Sequence, residues 1–129
     1  MSAPAPVPVR PIVILVDDDE ALAHALAFSF GLEGLDVRAY GDAETLLAAG
    51  ALPEHGCLVL DHHLPGMDGL SLLGRLRAAA VRLPAILVTS NPGPALRARA
   101  AACGTPIVEK PLLSDALLTA VRRALQPRL

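Results

Sequence analysis

The chain has 129 residues, the size of one ordinary domain, and its formal charge of −2 excludes a strong electrostatic pull toward nucleic acid or an anionic membrane surface. Hydrophobic residues make up 53% of it, yet only Phe28, Phe30 and Tyr40 are aromatic, so the core must be built from Leu, Val, Ile and Ala. Runs such as "PAILV" are too short to span a bilayer, and the N-terminus lacks a basic stretch followed by an apolar one, so a cytoplasmic protein is expected.

"MSAPAPVPVRP" has four prolines in eleven residues and predicts a flexible, extended tail over 1–11. The ordered domain is expected over 12–126. "IVILV", Ile12 to Val16, is the first strand, and Glu20 to Leu32 follows with a helical period. Gly34 is a plausible end for that helix. "LDVRAY" alternates and reads as a strand; "GDAETLLAAG" reads as a short helix capped by Asp42 and ended at Gly50.

"CLVLD" is continuous and apolar, as a strand buried on both faces should be. "HHLPGMDG" is turn chemistry, and "LSLLGRLRAAA" is an amphipathic helix. "PAILVTS" is a fourth strand. "NPGPALRARAAACG" is a helix opened by Pro94 and closed by Gly104; Arg97 and Arg99 on it are two apart, do not share a face, and read chiefly as solvated side chains. "PIVEKP" is a short fifth strand. "SDALLTAVRRAL" is a last helix, capped by Ser114, with Arg122 and Arg123 suited to its C-terminal dipole and Pro127 as its stop.

Five βα pairs in strict alternation predict an α/β fold: a doubly wound five-stranded parallel sheet with helices on both faces. Ligands of such sheets sit outside the carboxyl ends of the strands. Strand one ends in Asp17, Asp18 and Asp19, strand three in Asp61, strand four in Thr89 and Ser90, and strand five in Lys110. Strand two ends in Tyr40 and Gly41 and carries no anchored charge. The order 2-1-3-4-5, which makes strand two an edge, brings the other four ends to one crevice.

Clustered carboxylates repel unless a cation joins them. With no cysteine beside them, they form a hard oxygen site suited to Mg2+ or Mn2+. A lysine, a hydroxyl and a carboxylate nucleophile complete the parts that phosphoryl transfer requires. Asp19 and Glu20 fit the first helical turn instead, as acids on its dipole. His62-His63 has no partner motif for zinc, and Cys57 and Cys103 form neither a metal motif nor a disulfide framework; both are expected to be buried and reduced.

"ILVDDDEAL", "LVLDHHLPGMDGLSLL", "PAILVTS" and "VEKP", spread over residues 12–125, together resemble the receiver domain of bacterial two-component response regulators, nearest the FixJ-like branch. The fold this implies is flavodoxin/CheY-like. The resemblance implies that Asp61 accepts a phosphoryl group from a histidine kinase or phosphotransfer protein. It implies Mg2+ (or Mn2+) held by Asp17, Asp18, Asp61 and the backbone carbonyl of His63, with Thr89 as switch hydroxyl and Lys110 as phosphoryl-pairing lysine. It also implies a cis Lys110–Pro111 bond. With no output domain expected after Leu129, signalling would run through protein contact or a phosphorelay, on the face of strand four, helix four, strand five and helix five, with a homodimer also compatible. Direct binding to nucleic acid or membrane is not expected, and neither is a turnover enzyme.

Three positions depart from the family pattern. Ile107 stands three before the lysine, where Phe or Tyr is usual, so a ring flip cannot relay the signal. "GTPIVEK" is one residue shorter than usual. His63 brings an imidazole to the position that tunes hydrolysis. These departures leave a second reading, a degenerate receiver that binds partners independently of phosphorylation. A third reading, a haloacid-dehalogenase-type phosphatase using Asp17 and Asp19, must set one short motif against four converging strand ends.

Overall fold

The computed structural model describes residues 10–112 and 115–126. The elements alternate as predicted: β1 (Ile12–Val16), α1 (Glu20–Leu32), β2 (Asp36–Tyr40), α2 (Ala43–Ala48), β3 (Gly56–Asp61), α3 (Gly69–Ala78), β4 (Ala85–Thr89), α4 (Pro94–Ala102), β5 (Ile107–Glu109) and α5 (Ala116–Leu125). All pairings are parallel, in the order β2-β1-β3-β4-β5. The Ser114 cap and the Pro127 stop lie outside the described residues.

The period-two geometry of a strand divides each apolar run between two faces. From β1, β3 and β4, the residues Ile14, Val16, Leu58, Leu60, Ala85 and Leu87 pack with Leu46 of α2, Leu70, Leu72, Leu73 and Leu76 of α3, and Ala100 of α4. On the other face Val13, Leu15, Cys57, Val59, Ile86 and Val88 pack with Ala23, Leu26 and Phe30 of α1 and Leu117 and Val121 of α5. Burial on both faces explains why these strands read as unbroken apolar runs. β2 lies at the edge with only Val37 and Tyr40 partly covered.

Three local differences from the sequence reading have physical causes. β3 starts one residue before Cys57, because Gly56 already pairs in register with Ile12 of β1, whose carbonyl any larger side chain there would strike. α3 stops at Ala78, and Ala80 takes a positive φ of 65° so that Val81 can return its N–H to Leu76 and close the helix end. α1 is capped at Glu33, with Gly34 one position beyond in the left-handed region at φ 83°.

Arg10 and Pro11, read as tail from the sequence, are tied to the domain. Arg10 donates to the carbonyls of Gly31, Gly34 and Leu35 and pairs with Asp36, and Pro11 accepts from the N–H of Asp36. A cation there suits the C-terminal end of α1. Among the described residues, no helix is long and apolar enough to cross a membrane.

Candidate functional site

Parallel register carries β1, β3, β4 and β5 to a common carboxyl edge, and backbone bonds anchor the first residue past three of these strands. The Asp17 N–H donates to Tyr40, the His62 N–H to Val88 and the Lys110 N–H to Thr89, at 2.9 to 3.0 Å. Asp17, Asp61 and Lys110 therefore start from strand ends that the sheet holds in this resting arrangement.

Asp17 and Asp61 are buried, and Asp18 is exposed beside them. One carboxylate oxygen from each of the three can be chosen so that all lie within 4.8 Å of one another. Asp17 and Asp61 are held alike. Oδ1 of Asp17 accepts the N–H of Asp19 at 2.9 Å, and Oδ1 of Asp61 accepts the N–H of His63 at 3.1 Å. The Lys110 ammonium donates to Oδ2 of both, at 3.0 and 3.3 Å. Its side chain is 24% exposed. Burial disfavours its charge, but the two carboxylates outweigh burial and raise its pKa above the ordinary lysine value.

The donor set fits the expected cation. All three groups are hard oxygen ligands, and one ammonium does not balance three carboxylates. The three carboxylates lie close enough together for one small hard cation to draw on all of them.

The predicted residues divide into two groups. Asp17, Asp18, Asp61 and Lys110 meet at one point. Thr89 is fully buried at the end of β4, with its hydroxyl on the Ser90 carbonyl at 3.4 Å. His63 meets Asp61 through its N–H. Asp19 stands apart as predicted, capping α1 by accepting the N–H of Leu22 at 3.0 Å. Lys110–Pro111 is cis, as the resemblance implied. Ile107 is paired with Leu87 and packs on the face shared by α2, α3 and α4.

Several neighbours carry no sequence signal as part of the site. A Cβ on Gly69 would lie 2.6 Å from the Asp61 carbonyl oxygen, so glycine lets α3 start directly against the acceptor strand. The adjacent Asp68-Gly69 pair signals a turn but not this contact. His62 keeps Nδ1 buried without a partner, and its ring meets that of His63 edge-on at 5.3 Å. Burial is the main cause of its lowered pKa; His63 and Arg99 add to that, against Asp68 and Asp61. Arg97 and Arg99 are not simply solvated: Arg97 pairs with Glu109 at 2.6 Å and Arg99 with Asp68 at 3.6 Å. Cys103, expected to be buried, is exposed at the end of α4; Cys57 is buried, and its thiol pKa is raised to about 12 by burial.

Comparison with known proteins agrees with this geometry. The response regulator receiver domain family matches residues 13–122. The C4-dicarboxylate transport transcriptional regulatory protein DctD of Pseudomonas aeruginosa is 40% identical over 99% of this chain, which spans 28% of that protein. The transcriptional regulatory protein FixJ of Azorhizobium caulinodans is 35% identical over 88% of this chain, which spans 54% of it. Among solved structures, response regulator StyR matches with a TM-score of 0.82 and 33% identity, over 92% of this chain and 60% of that one. The crystal structure of FixJ-N matches with a TM-score of 0.79 and 30% identity, over 92% and 96%. Sequence and backbone thus agree over the same span, and the chain belongs to the response regulator receiver domains of two-component signalling, on their FixJ-like side.

Proposed function

We propose that Asp61 accepts a phosphoryl group from the phosphohistidine of a histidine kinase or phosphotransfer protein. One observation carries this reading: Asp17, Asp18 and Asp61 converge, with the Lys110 ammonium bridging the two buried carboxylates. A carboxylate oxygen of Asp61 attacks phosphorus. The new O–P bond forms as the P–N bond breaks, and the imidazole of the donor leaves with the electron pair and takes a proton from solvent. Asp17, Asp18, Asp61 and the carbonyl of His63 would hold Mg2+, whose charge neutralises the phosphoryl oxygens. Lys110 would leave Asp17 to pair with the phosphoryl group, and Thr89 would turn its hydroxyl from Ser90 toward it. The product is read by protein contact or passed on in a relay, and the chain acts as a phosphoacceptor rather than a turnover enzyme.

Incubation with phosphoramidate and Mg2+ should add one phosphoryl mass to the intact chain and none to Asp61→Ala. A chain that gains no mass, or an Asp61→Ala variant that does, refutes the reading.

Ile107 favours a second reading, a receiver whose partner binding ignores phosphorylation, because an isoleucine packed beside Leu87 has no ring to report the state of Thr89. That reading requires partner binding to be the same in Asp61→Asn and wild type.

A further inference from the structure

α4 is the most weakly buried of the long helices. Of its nine residues only Ala100 is buried, Leu96 is partly covered, and Gly93 gives no side-chain cap. Two ion pairs reach from its polar face, and both lead to the site. Arg97 holds Glu109, the residue before Lys110 and the register partner of Thr89. Arg99 holds Asp68, which caps α3 beside Gly69, and both charges act on the ring of His62, the residue after Asp61. The helix is thus tethered to the immediate neighbours of Asp61 and Lys110 as well as to the core through Ala100 and Leu96.

We propose that these two tethers set the resting position of α4 and transmit the state of Asp61 to it, in place of an aromatic relay at Ile107. The proposal rests on the phosphoacceptor reading. A phosphoryl group brings nearly two negative charges. Lys110 follows that charge off Asp17 and carries the backbone that presents Glu109, while the end of β3 carries His62 against the Asp68–Arg99 pair. Both ion pairs are about half exposed, so each is weak. A weak tether on a poorly buried helix is one that a local charge change can release.

The test is hydrogen exchange over residues 94–102 of the full chain, with Mg2+, before and after addition of beryllofluoride as phosphoryl analogue. Uptake of phosphoryl from phosphoramidate is measured in parallel by intact mass. Wild-type α4 should exchange faster with the analogue. Arg97→Gln and Arg99→Gln should each speed resting exchange about threefold, the size of one exposed ion pair, and should shrink the response to the analogue. The charge reversal Arg97→Glu with Glu109→Arg should restore the resting rate. Unchanged resting exchange in the double Arg97→Gln/Arg99→Gln variant overturns the proposal, as does failure of the reversal to rescue. A chain that gains phosphoryl mass while α4 keeps its exchange rate also overturns it. A chain that gains no mass fails earlier, at the phosphoacceptor reading itself.

Discussion

Replacing Gly69 by alanine presses a methyl group onto the acceptor strand. The added Cβ would lie 2.6 Å from the Asp61 carbonyl oxygen and 2.9 Å from Cδ1 of Leu87. The Leu87 methyl can turn away, but the carbonyl belongs to the backbone. Ordinary contact begins at 3.4 Å, so about 0.8 Å must open between the end of β3 and the start of α3. Either movement disturbs the bond from the Gly69 N–H to the His62 carbonyl, at 3.0 Å, and so the peptide next to Asp61. Overpacking of this kind costs about 2 kcal/mol. A displacement approaching 1 Å should slow phosphoryl uptake at least about tenfold. Urea unfolding followed by circular dichroism reads the first effect, and intact mass against time with phosphoramidate and Mg2+ reads the second. Gly74→Ala is the control, because nothing lies within 4 Å of its Cβ in mid-α3. It should gain about 1 kcal/mol and keep the wild-type rate. If Gly69→Ala matched wild type in both measurements, the close approach would have no bearing on the site.

Ala80→Gly should stabilise the domain by about 1 kcal/mol, because alanine is held at φ 65° where glycine is unstrained; a melting temperature that falls instead refutes this. Asp68→Ala should cost about 1 kcal/mol at neutral pH by removing the cap that accepts the N–H of Ser71 at 2.7 Å. Burial works against the Asp68 carboxylate, but the bonds from Ser71 and the nearby His62 and Arg99 outweigh it and lower its pKa. The stabilisation is therefore present above the ordinary carboxylate range and lost as pH falls through the lowered pKa, so unfolding curves of variant and wild type should converge in acid. Iodoacetamide at pH 8 should label Cys103 and leave Cys57 unmodified in the folded chain, since only Cys103 is exposed and burial keeps the Cys57 thiol protonated; mass spectrometry showing two labels counts against the buried thiol.

The strands are legible in the sequence because burial on both faces leaves unbroken apolar runs at Ile12–Val16, Cys57–Leu60 and Ala85–Val88. Their order follows from where charged and hydroxyl groups suited to one crevice fall, since β2 alone ends without one that fits it. Asp17, Asp18, Asp61 and Lys110 are legible for the same reason: a polar residue directly after a buried parallel strand has one edge to face. What the sequence hides depends on long-range geometry. Arg97 and Arg99 find Glu109 and Asp68 across the fold, and neither pairing has a local signal. α4 is nearly all alanine and arginine, so its pattern marks no inward face and gives no reason to expect Cys103 outside. Ala80 stands where a glycine would announce the end of α3, so the apolar pattern runs on past the true helix end.

The paired anchoring of Asp17 and Asp61 has an entropic consequence. Each carboxylate has one oxygen on a backbone N–H two residues ahead and the other on the Lys110 ammonium. Their rotamers are settled during folding, before any ion or donor arrives. A newcomer then need not freeze two acidic side chains as it binds, and gives up less of its binding free energy to ordering them. The lysine thus acts as a preorganising brace, and its removal should leave both aspartates present yet free to turn.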